Sequence, residues 1–122
     1  MFKIPVKALS QNLAWAGKRY RTTKYKDYEK LLYDYFRTLD LPKIEEKEPF
    51  YFFLEFATTA RQDLSNNLKL FEDVLCKYLN VNDRNTMAIF CRKIIVKKND
   101  EFIRFGIFAS EYDLLYFLRA EV

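Results

Sequence analysis

The sequence predicts an α+β fold in which a mixed β-sheet packs against helices, in the order strand, helix, strand, helix, strand, strand, helix. Three observations predict it. Two segments, near residues 24 to 39 and 64 to 79, place apolar residues at spacings of three and four, the period of an amphipathic helix. Three short runs rich in Phe, Ile and Val, at 49 to 57, 87 to 97 and 101 to 108, are bounded by turn-forming residues, as strands are. The chain has 122 residues, half of them apolar, with 12 Phe and 9 Tyr, enough to build one core and short enough for one domain, taken as 1 to 122.

Residues 2 to 7 are expected to open the chain as a short strand, which Pro5 confines to a sheet edge or a strand start because proline cannot donate to a ladder. An irregular stretch follows from Ala8 to Thr23. Tyr25, Tyr28, Leu31, Leu32, Tyr35 and Leu39 then form the stripe of a helix over about 24 to 39, and Pro42 closes that region. The run PFYFFLEFA from Pro49 reads as a mostly buried strand, its aromatics core rather than binding residues. Asp63 precedes a second helix, about Leu64 to Leu79, with Leu64, Leu68, Phe71, Leu75 and Tyr78 as its apolar stripe. That register leaves Asn66, Lys69 and Asp73 together on another face. After the turn NVNDRN, two strands separated by Lys98, Asn99 and Asp100 read as an antiparallel hairpin. Ser110 is the expected N-cap of a C-terminal helix.

Composition excludes several chemistries. Histidine is absent, so Ser-His-Asp and Cys-His catalysis and imidazole zinc sites are ruled out. Cys76 and Cys91 are not a CxxC pair and fall in a predicted helix and a predicted strand, which points to reduced thiols. No segment approaches the roughly 20 apolar residues that span a bilayer, and the start lacks a signal-peptide pattern; a soluble, cytoplasmic protein is expected, with no membrane partner. Hydrolysis, if any, must rest on carboxylates, lysine and a hard metal ion. The net charge of +4 is concentrated in residues 1 to 30, with eight basic and two acidic side chains. Lys18, Arg19, Arg21, Lys24 and Lys26, interleaved with Trp15, Tyr20 and Tyr25, form a candidate surface for tracking a phosphate backbone, against the plainer reading of a solvated basic face.

The informative stretch is RQDLSNNLKLFEDVLCKYLNVNDRN, residues 61 to 85. A metal-dependent phosphodiesterase needs carboxylates converging on one or two Mg²⁺ ions and gains from a lysine that stabilises a developing charge. Asp63, Lys69 and Asp83 are candidates, although a helix of 16 residues holds its ends about 24 Å apart, so Asp83 must run back towards Asp63 for the groups to meet. Each also has a plain structural role available. Asp63 suits an N-cap, Lys69 and Asp73 an i, i+4 surface pair, and Asp83 a turn.

Asp63, Ser65, Asn66, Lys69, Asp73 and Leu75, followed by Asn82-Asp83-Arg84, resemble the D-x-D-N-x-x-K-x-x-x-D-x-L motif and acidic turn of RusA-like Holliday-junction resolvases. The segment ALSQNLAWAGKRYR resembles the S-x-N-x-x-W-x-G entrance of the same family, so the likeness extends over most of the chain. The resemblance implies a RusA-like fold and a homodimeric endonuclease that cuts four-way DNA junctions using Mg²⁺ or Mn²⁺. It implies that Asp63 and Asp83 are metal ligands, with Ser65 a weak one in place of an aspartate, that Lys69 is the catalytic lysine and that Asn66 orients the site; together with the basic entrance, the expected DNA-contacting residues are Asn12, Lys18, Arg19, Arg21, Lys24, Arg61 and Asn66. The chain departs from the pattern at Ser65, where the family has a second aspartate: a neutral hydroxyl replaces a charged ligand, and hard cations depend on ligand charge. A branched-DNA-binding protein without cleavage is therefore the alternative, and a small basic interaction module a third.

Overall fold

The computed structural model describes residues 1–10, 13–16, 20–45 and 47–121, with backbone only at 15, 16, 20 and 21. The chain order is β1 (Phe2–Ile4), a two-stranded ribbon of β2 (Trp15–Ala16) and β3 (Tyr20–Arg21), α1 (Thr23–Thr38), β4 (Phe50–Thr58), α2 (Leu64–Leu79), a 3-10 turn (Asp83–Asn85), β5 (Thr86–Ile95), β6 (Phe102–Phe108) and α3 (Glu111–Glu121). The result is a mixed α+β fold with a four-stranded sheet and three helices. No helix among the described residues is long and apolar enough to cross a membrane.

The sheet order is β1-β6-β4-β5, with β4 parallel to β5 and antiparallel to β6. This corrects the expected hairpin: β5 and β6 do not pair with each other, because β4 lies between them. The reason is in β4 itself. Phe50, Phe52, Phe53, Leu54 and Phe56 are at most 1% exposed, so consecutive residues are covered on both faces, and such a strand belongs in a sheet interior. After β5, the Val96 amide donates to the Thr58 carbonyl (3.0 Å), and the chain crosses the end of β4 before entering β6 opposite Ala57. Two strand spacings, roughly 10 Å, are within reach of a six-residue connection. Asn99, in the left-handed region at φ 77°, turns the chain there. β1 takes an edge beside β6 and ends just before Pro5.

The two faces of the sheet carry different cover. Phe52, Leu54 and Phe56 join Leu32 and Phe36 of α1 and Leu70, Phe71 and Val74 of α2 in the main core. Phe71 stands edge-on to Phe36, Phe56 and Phe105, so one ring ties both helices to two strands. On the opposite face Phe53 stacks on Phe90 and meets Phe117 of α3 edge-on. Beside it Glu55, 2% exposed, accepts from Arg92 (2.6 Å) and Arg104 (3.0 Å), and Arg104 reaches on to Glu121 of α3. The helix stripes are displaced from the expected ones. In α1 Leu31 is exposed and Phe36 is buried; in α2 the buried line is Asn67, Leu70, Phe71, Val74, Leu75 and Cys76, with Leu64, Leu68 and Tyr78 at its margin.

Candidate functional site

The polar side of α2 organises the candidate residues, and the structure separates them into two groups. The first lies at the head of the helix. Asp63 occupies the N-cap position, yet its side chain makes no capping hydrogen bond; it accepts instead from the Ser65 hydroxyl (3.2 Å). The plain N-cap role is therefore not how this carboxylate is used. Asp63 and Asn66 line a cavity of about 610 Å³ with Arg61, Gln62, and Lys24 and Tyr28 of α1. Lys7, Leu9 and Leu13 form the wall contributed by the N-terminal segment. Three of the proposed DNA-contacting residues, Lys24, Arg61 and Asn66, thus share one cavity with a proposed metal ligand.

The second group lies further along the helix and is assembled by a helix ending. Asn80 adopts φ 57° and ψ 45°, its amide donating to the carbonyl of Lys77, while the Val81 amide donates to Cys76 (3.0 Å). This is a Schellman closure with asparagine in the left-handed position, where it is the best-tolerated residue after glycine. It reverses the chain. The Asn82 side chain then accepts from the Arg84 amide (3.0 Å), fixing the 3-10 turn that carries Asp83. Asp83 is brought alongside α2, 3.6 Å from the Lys69 ammonium, which also contacts Asp73 at 3.2 Å. The expected Lys69–Asp73 pair is present, and Asp83 joins it.

The electrostatics of this group are unbalanced. Glu72, Asp73 and Asp83 all act on Lys69, holding its ammonium above the usual lysine range through the Asp73 hydrogen bond first and the other charges after it. Glu72 is raised as well: burial lifts its carboxyl above the ordinary value, the Thr86 side chain and Lys69 only partly offset that, and Asp83 and Asp73 add to it. Cys76 sits beneath these carboxylates and its thiol is pushed up to about 12, by burial first and then by their charge. Both cysteines are free. With Lys69 half exposed, its pairs are worth only about 0.2–1 kcal/mol each, too little for stability alone to require them.

The donors are of the kind a hard divalent cation takes, carboxylate and hydroxyl oxygens. Their arrangement is less complete. Among the described residues no three acidic or thiol side chains converge at metal-binding spacing. Asp63 with Ser65 is one half-site and Asp83 with Lys69 another, so the protomer does not present a closed ligand set.

Asn12, Lys18 and Arg19 lie outside the described residues, and only the backbone of Arg21 is described, in β3 opposite Trp15. Sequence reasoning missed Glu72, Lys7, Tyr28 and Gln62. Glu72 had a weak signal, the adjacent Glu-Asp pair three and four residues after Lys69. Nothing local could bring Lys7 or Tyr28 to Asp63, because that proximity is made by the fold, which brings Tyr28 there on α1 and Lys7 on the segment that follows β1. A scan against protein-family models finds no match for the chain, and neither does a search of curated proteins.

Proposed function

We propose that this chain is a structure-selective DNA endonuclease, of the RusA-like type, that resolves four-way junctions by metal-dependent phosphodiester hydrolysis as a homodimer. The observation that carries the reading is the return of Asp83 onto Lys69. Two residues of the motif, 14 positions apart and on different elements, meet on the same helix face as Asp73. In this reading Asp63 and Asp83 are the metal-directed carboxylates, with the Ser65 hydroxyl as a neutral third donor. Lys69 stabilises charge on the phosphate in the transition state, and Lys24, Arg61 and Asn66 hold the strand at the head of α2. Mg²⁺ or Mn²⁺, when bound, supplies a Lewis acid for the phosphoryl oxygen and acidifies a water.

The test is cleavage of an end-labelled four-way junction in Mg²⁺, Mn²⁺ and EDTA, resolved on denaturing gels. Symmetric cuts that require the metal, vanish in Asp83→Asn and fall by about 100-fold in Lys69→Ala are expected. Wild-type cutting by Asp83→Asn removes the site assignment. Sedimentation velocity of the same preparation reads the dimer directly.

One observation favours a second reading. The Ser65 hydroxyl spends itself on Asp63 and leaves two unlinked half-sites. A protein that binds branched DNA without cutting it fits that arrangement. It is distinguished by a shifted, intact junction in every metal, with cutting gained in Ser65→Asp.

A further inference from the structure

The two edges of the sheet are defended unequally. β1, at one edge, is only 3 residues long and is followed by Pro5, which has no amide to offer a ladder. β5, at the other, runs for 10 residues without proline or glycine, and among the described residues it pairs with β4 alone. The bond from the Val96 amide to the Thr58 carbonyl (3.0 Å) fixes its alternation: even-numbered residues turn their backbone groups to β4, so Ile89, Cys91, Lys93 and Ile95 turn theirs to the open edge. The two cations that could guard this edge are held elsewhere, Arg92 donating to Glu55 (2.6 Å) and Lys93 to the Gln62 carbonyl (2.8 Å). Near the two ends of the strand, Met87 and Ile95 are 62% and 57% exposed. A long apolar edge with open amides and carbonyls is a template for another strand.

We propose that a second copy of this chain pairs antiparallel along β5, about a two-fold axis that passes beside Cys91, so that the two sheets join edge to edge. The occupant is a second copy because β5 is complementary to itself. With Cys91 opposite the partner's Cys91, the two exchange both backbone bonds, and exposed Met87 meets the partner's exposed Ile95 on the same face of the sheet. Arg92 then lies opposite the partner's Phe90 and Lys93 opposite the partner's Ile89, so no two cations face each other. A register centred on Arg92 sets guanidinium against guanidinium, and one centred on Phe90 parts Met87 from the partner's Ile95. The axis stands normal to the sheet, so both α2 helices lie on one face of the dimer, as an isologous contact requires. The two Thr86 positions, where the Asp83 turns enter β5, stand roughly 30 Å apart along the strands, at 3.3 Å per residue. The pairing itself stands on β5; that one branched substrate lies across both Lys69–Asp83 groups rests on the nuclease reading above.

The experiment is sedimentation velocity of the full chain over a concentration series, with two double variants at the exposed positions. The wild type is expected to be a dimer. Met87→Lys with Ile95→Lys sets lysine against lysine at both ends of the pairing and should weaken the dimer at least about tenfold. Met87→Lys with Ile95→Glu sets opposite charges against each other in this register and should restore it. A monomeric wild type, a dimer indifferent to the first variant, or a second variant as weak as the first overturns the proposal. Amide hydrogen exchange of the wild type reads the pairing without any substitution: the Cys91 and Lys93 amides should exchange slowly, although no strand of their own protomer accepts from them, and fast exchange there overturns it too. Junction cleavage measured in parallel keeps the two readings apart. A monomer that cuts junctions sinks the pairing alone, whereas a β5-paired dimer that neither binds nor cuts a junction leaves the pairing standing and sinks the nuclease.

Discussion

Ser65 shows how much one side chain decides at the head of α2. Its hydroxyl lies 3.2 Å from an Asp63 carboxylate oxygen, so an aspartate at 65 puts a second anion beside the first. The repulsion is modest in an exposed first turn, where the helix dipole favours negative charge by about 0.3–1 kcal/mol per group. A divalent cation relieves it. Ser65→Asp is therefore expected to bind Mn²⁺ at least about tenfold tighter than the wild type, because ligand charge sets affinity for hard cations; titration followed by electron paramagnetic resonance reads this, and unchanged affinity separates residue 65 from the metal.

Glu55 is the opposite kind of residue, buried and structural. Removing it in Glu55→Ala takes the carboxylate partner from Arg92 and leaves Arg104 with Glu121 alone, and is expected to cost about 3 kcal/mol in a urea melt. Burial works against its charge, but Arg104 and Arg92 together outweigh that and hold its carboxyl below the usual range. A lowered folded-state value gives stability that is present above the unfolded carboxyl value, about 4.3, and is lost as pH falls through the folded one. The Tm difference between wild type and Glu55→Gln should thus narrow in that acid window. A gap unchanged from pH 6 to pH 2 would contradict it. The Lys69–Asp73 pair was legible at this scale, because i, i+4 spacing is a local property. Glu55 was not, since it is defined by partners from distant segments, whereas Tyr28 was legible as part of the buried stripe of α1.

At the scale of elements, the bounds of α2 and the core position of the aromatic run followed from periodicity and composition, whereas pairing did not. A hairpin is the cheapest reading of two strands with a short connection, and local sequence cannot announce that a third strand lies between them. The two-sided burial of β4 overrides that preference. The helix stripes were displaced for a related reason: Asn67, polar by type, is fully enclosed on α2, so the buried line cannot be drawn from apolar letters alone. Asn80 is the element-scale residue that matters most for the site, because its left-handed turn returns Asp83 to Lys69. Asn80→Gly keeps that conformation and is expected to leave stability within a few tenths of a kcal/mol, while Asn80→Val destabilises by about 1–2 kcal/mol, the left-handed region being costly to side chains with a Cβ and more so to branched ones. Thermal melts of the two variants check this. If Asn80→Val melts with the wild type, the turn does not depend on residue 80.

For the whole molecule, charge is the property that composition stated and the fold distributes. The net +4 is small, but Lys7 and Lys24 from the basic first quarter meet Arg61 from the loop before α2 at one cavity, a grouping invisible in the charge count. Binding to a polyanion at such a place is driven by release of condensed counterions, so the logarithm of affinity falls linearly with the logarithm of salt, by about 0.9 per duplex phosphate contacted. The double variant Lys24→Ala/Arg61→Ala should lower the slope of junction binding by about 2 between 50 and 200 mM salt, measured by fluorescence anisotropy with an uncut probe in EDTA. Lys30→Ala, on α1 but outside that cavity, serves as the comparison. The slope should also hold between pH 6 and 8, because the chain has no histidine to change charge in that range. A double variant whose slope matches that of Lys30→Ala would mean that the cavity cations do not meet phosphates. The polyanion surface would then have to be sought elsewhere on the basic segment.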